Sequence, residues 1–361
     1  MSRPILIAAG GTGGHMFPAL ALGQALVARG RAVTLITDRR GARYVGQDLP
    51  CTVLAAGSPS GGAVAKVLGL VQLARGFVGG LVALRRQRPV AAASFGGYAS
   101  VPAALAAAAW RVPLLVHEQN AVFGRANRLV ARAAQVVALS FEPTADLPDG
   151  IRAHRVVTGN PTRPGFIAPS VPLATATNRF RVLVLGGSQG ARVFSDVLPT
   201  ALALLPAERR ARLDLAQQCR PEDLERVRGT YAGLGLAVEL ESFFSDVPAR
   251  MAAADLVIAR SGASTIAELL ALARPSLLVP YPYAADDHQT ANARALATAD
   301  AAILVPQPAF TPERLAAELE GLMRSPDRLA AMSRAAAGLA RPDAVQRLAE
   351  AMLALAGEAR P

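Results

Sequence analysis

Twice along this chain a short apolar run breaks into glycines and restarts as a helix. Residues 4–9 (PILIAA) lead into GGTGGHMFP, then into the helix-like ALALGQALVARG, and then into a second apolar run, AVTLIT at 32–37. Around residue 181 the pattern recurs as RFRVLVLGGSQGARVFSDVLPTALALL. Short, continuously apolar strands suit a parallel sheet buried on both faces, and the helix that follows each glycine turn is the crossover such a sheet requires. Two such openings, roughly 175 residues apart, specify two doubly wound α/β domains rather than one enlarged domain.

Further strands are expected in the first half at VAAASF (90–95), PLLVHE (113–118) and QVVALS (135–140), and in the second at LDLAQQ, AVELESF, LVIAR, PSLLVP and AAILVP. Residues 161–178 hold four prolines and little periodicity, so they are expected to link domains at 1–160 and 179–340. The tail from 312 is amphipathic and helical. Its last stretch, 341–361, is expected to pack back on the N-terminal domain. Ligands of parallel sheets sit at the carboxyl ends of the strands, and two such domains face to face would enclose a deep cleft there.

Cys51 and Cys219 stand far apart with no CxxC or histidine-rich partner, which excludes a disulfide framework or zinc site and suits a reducing compartment. No signal-peptide h-region follows the first methionine, and an exported protein is not expected. The net charge of +11 rests almost wholly on arginine, with Lys66 the single lysine, and draws the chain to phosphates or anionic lipid. The most apolar stretch, 67–84, is interrupted by Gln72, Arg75 and four glycines and is not expected to span a bilayer. The wider segment 66–88 sets leucines, valines and Phe77 among Lys66, Arg75, Arg85, Arg86 and Arg88. It reads either as a shallow membrane-docking surface or as a core helix weakened by its glycines.

The loops carry the chemistry. GGTGGH, Gly10 to His15, lies between a strand and a helix, where bare amides attract anions and glycines permit close approach. A dinucleotide fingerprint fits poorly, because Met16 and Ser188 stand where glycine is needed. GGSQGAR, Gly186 to Arg192, is a second cradle in which Ser188 can donate to a phosphate oxygen. In ARSGASTIAEL, Glu268 is placed either to grip vicinal hydroxyls or simply to favour the helix dipole. Asp287, His288, Gln289 and Asn292 of DDHQTANA form a polar group of the kind that recognises hydroxyl-rich ligands, or a solvated helix cap. Gly96 and Gly97 form another close-approach turn, and Asn120 projects an amide from a strand end. Arg163 of GNPTR offers a permanent charge to a diphosphate, or is one more surface arginine.

Laid end to end, GGTGGH, GGY, HEQN, GNPxR, GGSQGA, RSGAxTxxE and DHQxxNA resemble the MurG family in order and spacing over nearly the whole chain. That family comprises peripheral membrane N-acetylglucosaminyltransferases of peptidoglycan synthesis. The resemblance implies a GT-B fold, two Rossmann-like domains with parallel sheets facing a central cleft, the N-terminal one for acceptor and membrane and the C-terminal one mostly for UDP-GlcNAc. It implies an inverting transfer of GlcNAc to the muramyl 4-hydroxyl of undecaprenyl-pyrophosphoryl-MurNAc-pentapeptide (lipid I), giving lipid II. The partners implied are UDP-GlcNAc, the undecaprenyl-linked acceptor, an anionic membrane surface at the cytoplasmic face and other cell-wall enzymes, but no nucleic acid, metal or cofactor.

By the same resemblance, Thr12, Gly13 and Gly14 lie at the diphosphate or donor sugar, and Asn120 meets the GlcNAc hydroxyls. Arg163 and Ser188 meet the diphosphate, Phe244 sits by the uracil, and Gln289 reaches the sugar. Ala263, Ser264, Thr265, Ile266, Ala267 and Glu268 carry the phosphate and ribose contacts, and Gly10, Gly11, Gly96, Gly97 and Tyr98 form acceptor or diphosphate loops. Phe244 and Ser264 depart from the family's usual smaller aliphatic and leucine. For the base that takes the acceptor proton, His15 is the first choice, since imidazole is the side chain suited to proton transfer near neutral pH, and Glu118 the reserve. Two alternatives remain open: a UDP-GlcNAc 2-epimerase of the same fold, and a non-catalytic UDP-sugar-binding protein.

Overall fold

The computed structural model describes residues 3–46, 49–57, 62–163, 165–166, 179–187 and 190–357. Ser188 and most of the proline-rich 161–178 segment lie outside the described residues. The chain divides into two compact units, one of residues 1–163 and 341–361 and one of residues 164–340.

The first unit runs β1 (Ile5–Ala8), α1 (Gly13–Val27), β2 (Val33–Thr37), β3 (Cys51–Val53), α2 (Ala63–Gln87), β4 (Ala91–Ser94), α3 (Val101–Ala109), β5 (Leu114–Glu118), α4 (Arg125–Ala131), β6 (Val136–Leu139) and β7 (His154–Val157). Among the described residues the seven strands form one parallel sheet in the order β3-β2-β1-β4-β5-β6-β7. The order reverses at β1, so the loops after β1 and β4 leave adjacent strand ends, in register from Ile5 opposite Ala91 to Ala8 opposite Ser94. That is the switch point at which doubly wound sheets bind ligands.

Alternation along β1 builds two cores at once. Leu6 and Ala8 join Ala103, Ala106 and Phe123 on one face. Ile5 and Ile7 join Met16, Leu22 and Leu26 of α1 on the other. That second core also takes in Leu348, Ala349 and Met352, from the helix Ala344–Leu355 at the end of the chain.

The second unit runs β8 (Phe180–Leu185), α5 (Arg192–Leu204), α6 (Ala207–Arg210), β9 (Leu213–Gln218), α7 (Leu224–Gly233), β10 (Val238–Glu241), α8 (Val247–Ala253), β11 (Leu256–Ala259), α9 (Ala263–Ala271), β12 (Ser276–Leu278), α10 (His288–Ala297), β13 (Ala302–Leu304), α11 (Pro312–Arg324) and α12 (Pro326–Leu339), before α13 (Ala344–Leu355) rejoins the first. Its six described strands are parallel in the order β10-β9-β8-β11-β12-β13, again reversing at the strand that opens the unit. The expected α/β class with two doubly wound parallel sheets is therefore what the chain adopts. Strands β3 and β7 were not expected. Both are short edge strands whose residues are mostly exposed or half-buried, so they lack the apolar run that marks the others.

Helix α2 corrects the expectation that glycines weaken segment 66–88. It is continuous for 25 residues. Its glycines are a packing surface: a β carbon on Gly76 would lie 2.2 Å from the carbonyl of Ala55, and one on Gly80 3.1 Å from the Ala106 methyl. Small residues thus face α3, while Val64, Val67, Leu68, Val71, Val78 and Val82 are all exposed.

Candidate functional site

The GGTGGH and GGY loops interlock because neither carries side chains where they meet. The Gly10 amide donates to the Gly96 carbonyl at 3.1 Å. A β carbon on Gly10 would stand 2.9 Å from the Gly97 α carbon, and Gly97 itself is held at φ +72°. Alanine at either position would push the loops apart. The Thr12 carbonyl accepts the first helical bonds of α1, from His15 and Met16. Thr12 Oγ1 and His15 Nδ1 lie 3.0 Å apart. This bond sets the ring of His15 against the second loop, 3.3 Å from where a β carbon of Gly97 would be. Gly10, Gly11, Thr12, His15, Gly97 and Tyr98 thus share one cavity of about 420 Å³ with Arg40 and the chain around Ala56. A cavity at the start of a 15-residue helix with an imidazole among its lining suits an anionic ligand that must lose a proton nearby.

The HEQN sequence at the end of β5 is a buried hydrogen-bond knot. His117 Nε2 donates to the Gly159 carbonyl at 3.1 Å, and Nδ1 accepts from Gln119, whose amide also donates to the Phe95 carbonyl at 2.9 Å. Complete burial pushes the His117 pKa down to about 4, so this imidazole is a neutral strut that ties GNPTR to the GGY turn. Glu118 is 1% exposed. Its Oε1 accepts from the Asn120 amide and side chain at 3.0 and 3.1 Å, and its Oε2 accepts from the Gly124 amide and Asn127 at 2.9 and 2.7 Å. That geometry disfavours the reserve-base expectation, since Oε1 is occupied in holding Asn120 at the strand end and Oε2 in holding Gly124 and Asn127. Arg163 lies with its guanidinium 4.8 Å from the centre of the Phe17 ring, which brings it alongside the first turns of α1.

In the second unit the loop after β8 again depends on glycine. A β carbon on Gly186 would lie 2.4 Å from the Ala191 amide, and Gly187 and Gly190 both have positive φ. The start of α9 is fixed to that of α10: Ser261 donates to the Gln289 carbonyl at 2.8 Å, Asn292 donates back to the Ser261 carbonyl at 3.0 Å, and Gln289 accepts from the Tyr281 amide. Ala263, Ser264, Thr265, Ala267, Glu268 and Gln289 therefore share one neighbourhood. Ser264 Oγ is buried there with no partner among the described residues.

Two residues in this unit behave differently from expectation. Ile266 is 1% exposed and turns into the core, leaving only its main chain to a ligand. Phe244 is 5% exposed, and Arg250 covers its ring at 4.3 Å while paired with Glu239 and Asp246. The face of Phe244 is therefore closed to a base. Among the described residues no three His, Cys, Asp or Glu side chains are grouped to hold a metal ion.

Two family models match this chain: the glycosyltransferase family 28 N-terminal domain over residues 5–139 and the glycosyltransferase family 28 C-terminal domain over residues 181–348. A relative in Rhodospirillum rubrum is 50% identical, with 99% of this chain and 93% of the relative covered. Another in Rhodospirillum centenum is 46% identical, covering 98% and 95%. Both are described as UDP-N-acetylglucosamine--N-acetylmuramyl-(pentapeptide) pyrophosphoryl-undecaprenol N-acetylglucosamine transferase. Among solved structures, that of Acinetobacter baumannii MurG superposes with a TM-score of 0.80 at 30% identity, covering 97% of this chain and 99% of that one.

Proposed function

The chain belongs to the MurG family of glycosyltransferases, and from that premise we propose that it transfers GlcNAc from UDP-GlcNAc to the muramyl 4-hydroxyl of undecaprenyl-pyrophosphoryl-MurNAc-pentapeptide. The carrying observation is the glycine-lined cavity in which His15 is oriented by Thr12 at the start of α1. The acceptor oxygen attacks the anomeric carbon as the bond to the UDP oxygen breaks, so configuration inverts and UDP leaves with the electron pair. His15, its ring set by the contact between Nδ1 and Thr12 Oγ1, takes the hydroxyl proton.

Charge gathering on the departing diphosphate is the main barrier that fixed dipoles can lower. In the second unit those dipoles are the amides of Gly186, Gly187 and Gly190 and the first turn of α9, with Glu268 offered to the ribose, Gln289 to the sugar and the Phe244 main chain to the uracil. In the first unit the groups are Thr12, Gly13 and Gly14, the Glu118-held amide of Asn120, and the guanidinium of Arg163. Gly10, Gly11, Gly96, Gly97 and Tyr98 receive the acceptor's diphosphate.

The acceptor is a lipid, and α2 supports docking at the cytoplasmic face of the plasma membrane. By length and composition it is apolar enough to cross a bilayer, with a mean hydropathy of 1.8 over its most apolar 18 residues. Its glycine face is nonetheless occupied by α3. A helix sealed on one side and carrying an outer stripe of valine and leucine beside Lys66, Arg75, Arg85 and Arg86 suits lying in the headgroup layer. Exposed Trp110 at the end of α3 extends the apolar surface.

Incubation with labelled UDP-GlcNAc and a short-chain lipid-linked muramyl pentapeptide tests the reading. A disaccharide product supports it. Epimerised UDP-sugar, or UDP-GlcNAc bound but never consumed, refutes it in favour of one of the two alternatives.

A further inference from the structure

Backbone amides are neutral donors, yet a diphosphate brings at least two negative charges into the cavity of the first unit. Among the described residues lining that cavity, Arg40 alone carries a fixed positive charge. Its position is built. As the chain leaves β2, Asp38 is buried, and its Oδ1 accepts from the amides of Arg40 and Gly41 at 3.1 and 2.8 Å. Asp38 Oδ2 accepts from Arg40 Nε and Nη2 at 3.1 and 3.0 Å. Gly41 closes this turn because a β carbon there would lie 1.9 Å from Thr37 Oγ1. The guanidinium is thereby aimed over the first glycine loop, where a β carbon on Gly11 would be 2.7 Å from Nη2. The side chain is 70% exposed, and Nη1 has no partner among the described residues. Asp38 Oδ1 is shared by two backbone amides, while Oδ2 alone holds the Nε–Nη2 edge of the guanidinium. The guanidinium lines the cavity beside Gly11.

We propose that Arg40 is the cation of this pocket and grips the diphosphate of the lipid-linked acceptor where it lies over the glycine loop at Gly11. This deepens, and rests on, the reading above that the pocket receives the acceptor. A planar guanidinium held by a carboxylate on one edge matches a phosphate on the other, and being pre-positioned it loses little freedom on binding.

The probe is inorganic pyrophosphate, titrated calorimetrically into the full-length protein with UDP saturating, so that a diphosphate taken by the donor loops is already displaced. Arg40→Gln should bind pyrophosphate at least about tenfold more weakly than wild type, as expected for loss of a charged hydrogen bond. Arg40→Lys, a point charge without the planar fork, should recover only part of that loss. In turnover, the KM for the short-chain acceptor should rise about tenfold in Arg40→Gln without a matching rise in the KM for UDP-GlcNAc. Unchanged pyrophosphate binding in Arg40→Gln overturns the proposal, and so does a rise confined to the donor KM, which would give the guanidinium to UDP instead. A wild-type protein that never transfers sugar refutes the function, whereas the pyrophosphate titration still decides whether Arg40 holds the anion.

Discussion

Glu118→Gln separates a catalytic carboxylate from a positioning one. The carboxylate accepts four hydrogen bonds, two at each oxygen, from two backbone amides and the side chains of Asn120 and Asn127. Glutamine has nearly the same shape but turns one oxygen into a donor. If its NH2 takes the Oε1 position it faces both donors of Asn120. If it takes the Oε2 position it faces the Gly124 amide and Asn127. Asn127 cannot simply turn over, because its Nδ2 also donates to the His117 carbonyl at 3.1 Å. At least one buried donor is therefore orphaned and one bond to a charged acceptor lost, a cost of about 2–4 kcal/mol.

For a unit of this size that corresponds to roughly 5–15 °C in melting temperature. Scanning calorimetry at pH 7 should show a drop of that order, with a further fall for Glu118→Ala. The KM for UDP-GlcNAc should rise because Asn120 loses its anchor. A Glu118→Gln protein melting within about 1 °C of wild type, but with kcat reduced a hundredfold or more, would refute the argument and restore Glu118 as the base.

Three other perturbations have expected outcomes. His117 has its folded pKa lowered from 6.5 to about 4 by burial, so the unfolded chain binds the proton first; stability should fall by roughly 3 kcal/mol as pH drops from about 6.5 to about 4, with no further loss from this group below that. Melting curves across that interval check it, and a flat profile would show that His117 is not buried neutral. Glu268→Ala should weaken UDP binding by about 1–3 kcal/mol in a calorimetric titration, and unchanged affinity would remove its ribose role. Charge reversal at Arg85, Arg86 and Arg88 should reduce sedimentation with anionic vesicles by about 1 kcal/mol per residue, more at low salt than at high; undiminished binding would put the docking surface elsewhere.

What was legible in the sequence was what local chemistry enforces. The runs ILIA, LLVHE, VLVL and LVIA could only be strands buried on both faces, and the glycines after β1 and β8 could only be tight turns opening helices. The doubly wound class followed from those two facts. The residues of the candidate site stood out for the same reason, since glycine clusters and lone amides at strand ends are conspicuous in a sequence.

Roles that depend on distant neighbours were not legible. Whether Glu118 takes a proton or holds Asn120 depends on Gly124 and Asn127 arriving from the next loop and helix. His117 becomes a buried strut only because the Gly159 carbonyl, 42 residues on, reaches its Nε2. The phenyl ring of Phe244 is closed by Arg250, and the glycines of α2 became a packing face only once α3 lay against them. Arg40 is one arginine among many until the turn after β2 sets it over Gly11. Periodicity and turn chemistry act within a few residues and are written in the chain, whereas the partner of a buried polar group is set by which strands lie side by side, and that is decided only when the sheet assembles.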